Sequence, residues 1–224
     1  MLLTMTAPLG SGDCEAIAGS WLLQPINAWS SLAYTVVGLV LVATRTRAAH
    51  RERALRGAFG VLMAATGVGS FLYHGPQSTG AGFVHDVTFL ATLWFLVVMD
   101  PASSLGMRAR HAWLAFGSVV VVISGALLVA PASTNVLTGI SIVALIASDL
   151  LMRRVGDING RWYATALALF AASLLFNALG RSAIWTCEPE SVLQFHALWH
   201  ILSATALGAY FVAMTVPRNQ EPNR

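Results

Sequence analysis

Seven apolar stretches, each close to the roughly 20 residues a helix needs to cross a bilayer, constrain this 224-residue chain more than any other feature. They run over about 28–44, 55–74, 83–99, 112–130, 134–152, 162–180 and 192–216. Lipid offers no partner for backbone N–H and C=O groups, so segments of this kind close their hydrogen bonds internally as helices. Charged residues make up only 10% of the chain, against roughly 25% in soluble domains. The expected fold is therefore an all-α integral membrane protein, a seven-transmembrane-helix bundle forming one domain over 1–224. Residues 1–26 read as an outer N-terminal segment and 217–224 as a short tail.

The thirteen basic side chains are all arginine, and their spacing predicts the orientation. Arg45, Arg47, Arg51, Arg53 and Arg56 flank the first connection; Arg108 and Arg110 lie in the third; Arg153, Arg154 and Arg161 lie in the fifth; Arg218 and Arg224 lie in the tail. Only Arg181 falls on the other side. Basic residues accumulate in cytoplasmic loops, which places the N-terminus outside and the C-terminus in the cytoplasm. The isoelectric point near 9.3 then reports topology beside anionic headgroups, and nucleic acid is not an expected partner. Pro8, Gly10, Gly12 and Asp13 interrupt any signal-peptide core, so the first span is expected to be its own targeting signal.

That topology brings polar residues from three spans to one depth. Ser70 and His74 end the second span, His85 and Asp86 begin the third, and His196 and His200 begin the seventh. Positions i and i+4 share a helix face, so each Ser–His or His–His pair points one way. Ionisable groups within a membrane span mark functional sites by default. His74, His196 and His200 supply the three imidazoles of a catalytic zinc site. Asp86 is then placed to take a proton from the attacking water, and Ser70 to donate to a developing oxyanion. The plainer alternative is that the imidazoles hydrogen-bond between helices. His85 neighbours Asp86 in sequence but faces elsewhere on the helix. Bis-histidine haem ligation asks for pairs at separated depths, and a transporter for internal repeats and broken helices; neither pattern is present.

The two cysteines, Cys14 and Cys187, both fall outside, where disulfides persist, and a bond between them would tie the N-terminus over the site. Two unpaired small hydrophobes are the alternative. Arg181 is expected to pair with Glu188 or Glu190 or to reach lipid phosphate. Gly57, Gly60, Gly67 and Gly69 suit close helix packing, and Trp21, Trp29, Trp185 and Trp199 an interfacial belt.

Ser70-Phe-Leu-Tyr-His74, then Asp86, then His196-Ala-Leu-Trp-His200 resembles the alkaline ceramidases and their bacterial relatives, within a superfamily of seven-helix membrane hydrolases that includes the adiponectin-receptor-like proteins. Asp13-Cys14-Glu15, Gln24-Pro25-Ile26-Asn27-Ala28-Trp29-Ser30-Ser31 and Cys187-Glu188-Pro189-Glu190-Ser191 extend the resemblance from residue 13 to about 210. It implies a zinc-dependent amidase acting on ceramide or another N-acyl lipid, releasing a fatty acid. His74, His196 and His200 would hold Zn2+, with Ser70 and Asp86 beside it and Cys14 bonded to Cys187. Eukaryotic members also bind Ca2+ near the first helix; Asp13, Glu15 and Asn27 are the matching candidates, with Gln24 standing where relatives carry a glutamate and Ser31 where many have asparagine. A bacterial inner membrane, with the site toward the periplasm, is the implied location. A seven-helix receptor or sensor with a structural metal is the alternative from another class.

Overall fold

The structure, a computed structural model, describes residues 8–45, 50–155 and 158–215. Its seven helices are each long and apolar enough to cross a membrane. They are α1 (Pro25–Thr44), α2 (His50–His74), α3 (Ala81–Ser104), α4 (Ala109–Val129), α5 (Thr134–Val155), α6 (Gly160–Leu179) and α7 (Phe195–Thr215). No strand occurs among the described residues. A 3-10 turn, Pro131–Ser133, joins α4 to α5. The expected tail 217–224 lies outside the described residues.

Most helices start or end within five residues of the span read from the sequence, α2 beginning at His50 rather than 55 and α1 at Pro25 rather than 28, and two of these differences have a clear local cause. The third span continues past 99, through Pro101, to Ser104. Proline removes one N–H, but here it falls in the final turn, and the Leu105 N–H still closes that turn on the Pro101 carbonyl at 2.8 Å. The seventh helix starts at Phe195 rather than 192. Gln194 donates its side-chain amide to the carbonyls of Glu188, Pro189 and Ser191, which holds the preceding residues in a loop.

α1 packs on α2 and α7, α2 on α3, α3 on α4 and α5, and α6 on α7. Tyr34, Phe59, Met63, Phe95, Leu96, Leu207 and Phe211 form the core where α1, α2, α3 and α7 meet. Phe59 stacks on Phe211 with ring centroids 4.6 Å apart. In lipid, helix association rests on close approach and dispersion rather than on escape from water. The α1–α2 seam shows how: a Cβ on Gly60 would sit 2.6 Å from the Gly38 carbonyl oxygen, and one on Gly67 would sit 2.6 Å from the Thr35 nitrogen. Gly69 serves α3 in the same way, whereas Gly57 meets only the Arg45 side chain.

The N-terminal segment lies across the ends of the helices. The Cys14 N–H bonds the Gly180 carbonyl at 2.8 Å, Ser182 bonds Gly12 at 3.0 Å and Ala16 bonds Pro189 at 3.1 Å. The Cys14–Cys187 disulfide joins the same two segments, with Cα atoms 5.4 Å apart. Trp21, Trp29 and Trp185 are exposed at this end of the bundle, as an interfacial belt requires.

Candidate metal centre

α2 ends in the turn that carries His74, and α7 opens with His196 and His200 on one face. Gly180, just past α6, makes the meeting possible: a Cβ there would lie 2.6 Å from the His196 nitrogen. His74, His196 and His200 are all buried, and each offers a ring nitrogen within 4.8 Å of the others. Their ring centroids are 5.2 Å (His74–His196), 5.1 Å (His74–His200) and 4.6 Å (His196–His200) apart.

Hydrogen bonds decide which nitrogen two of the rings present. The Gln24 amide nitrogen donates to the Gly10 carbonyl at 3.0 Å and the Glu15 carbonyl at 2.9 Å, so its oxygen must be the atom 2.8 Å from His74 Nδ1. An amide oxygen only accepts, hence His74 carries its proton on Nδ1. The Ser30 hydroxyl donates its single proton to the Asn27 carbonyl at 3.0 Å. It therefore accepts from His200 Nδ1, also 3.0 Å away. His196 Nδ1 lies 3.3 Å from Asp13 Oδ1, close enough for attraction though not aligned as a hydrogen bond. All three rings thus turn Nδ1 toward an oxygen, and in His74 and His200 the hydrogen bond leaves the Nε2 lone pair for a ligand. Orientation of this kind, by carboxylate, carbonyl or hydroxyl, is what metal-binding imidazoles require.

Asp13 sits between a guanidinium and an imidazole, with Arg181 Nη1 2.9 Å from Oδ1 and His74 Nδ1 4.0 Å from Oδ2. Burial pushes its pKa up to about 6, while the Arg181 guanidinium pulls it down. Arg181 thus pairs with Asp13, not with Glu188 or Glu190. Burial also raises the Glu15 pKa, against the backbone N–H groups of Ile26 and Asn27, each 2.7 Å from a Glu15 oxygen. That remote carboxylate caps α1 and satisfies two of its unpaired N–H groups.

The expected site residues divide as follows. His74, His196 and His200 converge. Ser70, 2% exposed and one turn before His74, has an Oγ with no hydrogen-bond partner among the described residues. Asn27 is fully buried with both side-chain polar atoms unpartnered, which is costly unless a ligand or water meets them. Asp86 makes no hydrogen bond to the three imidazoles; it accepts from His85 Nδ1 at 2.8 Å and from Thr134 at 2.6 Å. His85, about 100° round the helix from Asp86 by spacing, turns its ring back onto that carboxylate and stacks on Tyr73 at 4.6 Å. Of the calcium candidates, Glu15 is committed to the α1 N-terminus and Asp13 to Arg181 and the imidazoles. The Gln24 amide nitrogen binds the Gly10 and Glu15 carbonyls. That donor, where a carboxylate would supply an oxygen ligand, and the commitment of Asp13 and Glu15 leave Asn27 as the one calcium candidate with unpartnered polar atoms.

Gln24 and Ser30 were the residues missed as members of the site. Their signal was present: Gln24, Asn27 and Ser30 recur every three residues at the start of an otherwise apolar span. Gly10 belongs with them, because a Cβ there would lie 2.1 Å from the Gln24 oxygen. Gln24→Leu is expected to weaken metal binding about 10–100-fold, because His74 loses its orienting partner. Competition with a chelating dye measures this, and unchanged affinity would show that Gln24 does not orient the ligand.

Fold and site together define a class: a bundle of seven membrane-length helices with a buried three-histidine group at one end. No protein-family description and no curated protein matches the chain.

Proposed function

We propose that the protein is a zinc-dependent lipid amide hydrolase of the membrane, cleaving the N-acyl bond of ceramide or a related lipid to release a fatty acid. The observation that carries this reading is the trio of buried imidazoles with every Nδ1 turned to a protein oxygen. Three neutral nitrogen donors suit zinc, and a three-ligand set is that of a catalytic site. Zinc, when bound, supplies a Lewis acid for the substrate carbonyl and an acidified water. The unpartnered Ser70 hydroxyl donates to the carbonyl oxygen as negative charge develops there. Asp86, whose hydrogen bonds go to His85 and Thr134, is the carboxylate assigned in this reading to take the proton of the water and return it to the departing amine.

The apolar part of the substrate has a path. A cavity of about 280 Å³ lies among α3, α5, α6 and α7, lined by Leu93, Ile146, Leu167, Phe170 and Leu207. Among the described residues α5 and α6 hardly touch, which leaves the cavity a side toward lipid. Leu207 lies about 10 Å along α7 from His200, so an acyl chain held there reaches back to the site. The arginine distribution and the disulfide support an outer N-terminus, a cytoplasmic C-terminus and a site on the periplasmic side of a bacterial inner membrane.

The test is release of fatty acid from a panel of N-acyl lipids by the purified protein, with and without a zinc chelator. Chelator-sensitive release from at least one supports the proposal. A full zinc complement with no hydrolysis of any panel member would replace it with a structural metal in a receptor-type bundle.

A further inference from the structure

At the opposite, arginine-bearing end of the bundle, an open groove of about 400 Å³ runs along the outside of α2. Ala54, Gly57, Ala58 and Val61 form its floor, at the i, i+3, i+4, i+7 spacing of a single helix face. Trp113 and Phe116 of α4 wall one side. α2 and α4 hardly touch, so the floor stays open; Val61 is 60% exposed. Arg45 and Arg53 stand at the rim. Arg45 reaches over α2 because Gly57 has no side chain: a Cβ there would lie 3.4 Å from Arg45 Nη1.

Neither guanidinium has an acidic partner among the described residues. Glu52 is the only carboxylate in the sequence between Glu15 and Asp86, and it is taken by Arg56. Residues 101–148, which include all of α4, contain no Asp or Glu. Two unpaired cations therefore stand above an apolar trough with an indole beside it. The chemistry that complements this arrangement is a phosphate joined to a hydrocarbon chain.

We infer that this groove is a binding site for an anionic glycerophospholipid, separate from the histidine site and its substrate. The phosphate sits between Arg45 and Arg53, and one acyl chain lies along Gly57 and Val61 against Trp113 and Phe116. Guanidinium groups suit phosphate because their planar N–H forks pair with its oxygens. A net-negative headgroup is preferred over a zwitterionic one because no protein carboxylate is near to meet an ammonium group.

Native mass spectrometry of the full chain, equilibrated with equal phosphatidylglycerol and phosphatidylcholine, tests the inference. Wild type is expected to retain phosphatidylglycerol preferentially. The double variant Arg45→Gln, Arg53→Gln is expected to lose about thirtyfold of that preference, the combined effect of two arginines near a headgroup. Val61→Trp, which fills the trough on its exposed side and leaves both charges, is expected to reduce retention as well. Arg108→Gln, at the same end but off the groove, is the control. Equal retention of both lipids by wild type would overturn the site, as would a loss in Arg108→Gln matching that of the double variant. In either case the arginines act only through diffuse surface charge.

Discussion

Replacing His196 and His200 together by alanine is expected to abolish metal binding and to lower hydrolysis of an N-acyl lipid by at least about a thousandfold. The loss reflects several kcal/mol of transition-state stabilisation that a bound metal supplies. Both imidazoles come from the first two turns of α7, and His74 alone cannot hold the ion. Elemental analysis of wild type beside the variant gives the stoichiometry, and size-exclusion chromatography checks the fold. One zinc per chain in wild type and none in the variant is the expected pair of results. An undiminished zinc content in the double variant would place the metal elsewhere and end the mechanism proposed for these residues.

Removing the disulfide, by Cys14→Ser with Cys187→Ser, is expected to produce the largest loss of stability available from a surface change. The bond spans 173 residues of sequence, and closing a loop of that length restricts the unfolded chain by about 5 kcal/mol. It also holds the segment that brings Asp13 against His196 and Arg181. Thermal unfolding in detergent, with and without a reductant, measures the effect. The oxidised wild type is expected to unfold well above both the reduced protein and the variant. Coincident transitions would mean that the backbone pairing of Cys14 with Gly180 and of Ser182 with Gly12 suffices to dock the N-terminus.

Much of the architecture was legible without coordinates. Apolar length picked out every span, because the requirement to satisfy backbone hydrogen bonds in lipid acts on each segment independently. Helical periodicity paired Ser70 with His74 and His196 with His200, and alternating spans brought them to the same end. The boundaries were less legible. The third span reads as ending at 99 yet runs through Pro101 to Ser104, and Val192 and Leu193 read as membrane residues yet belong to the loop held by Gln194. Both errors come from reading local propensity where a neighbouring hydrogen bond decides.

The partners of the site residues could not be read in this way. Arg181 lies 168 positions from Asp13, and no periodicity links them. Gln24 looked like a departure from a calcium-binding pattern, whereas its amide joins two backbone carbonyls and orients His74. Asp86 reads from the sequence as sharing a depth with the imidazoles, but its hydrogen bonds go to His85 and Thr134. By itself, the sequence determined which segments are helices, which residues lie at one depth and which two cysteines can pair. Only the tertiary structure decided which nitrogen His74 and His200 present and which oxygen stands behind each of the three rings. Those choices depend on helix rotation and on an N-terminal segment folded across the bundle, and neither leaves a periodic trace along the chain.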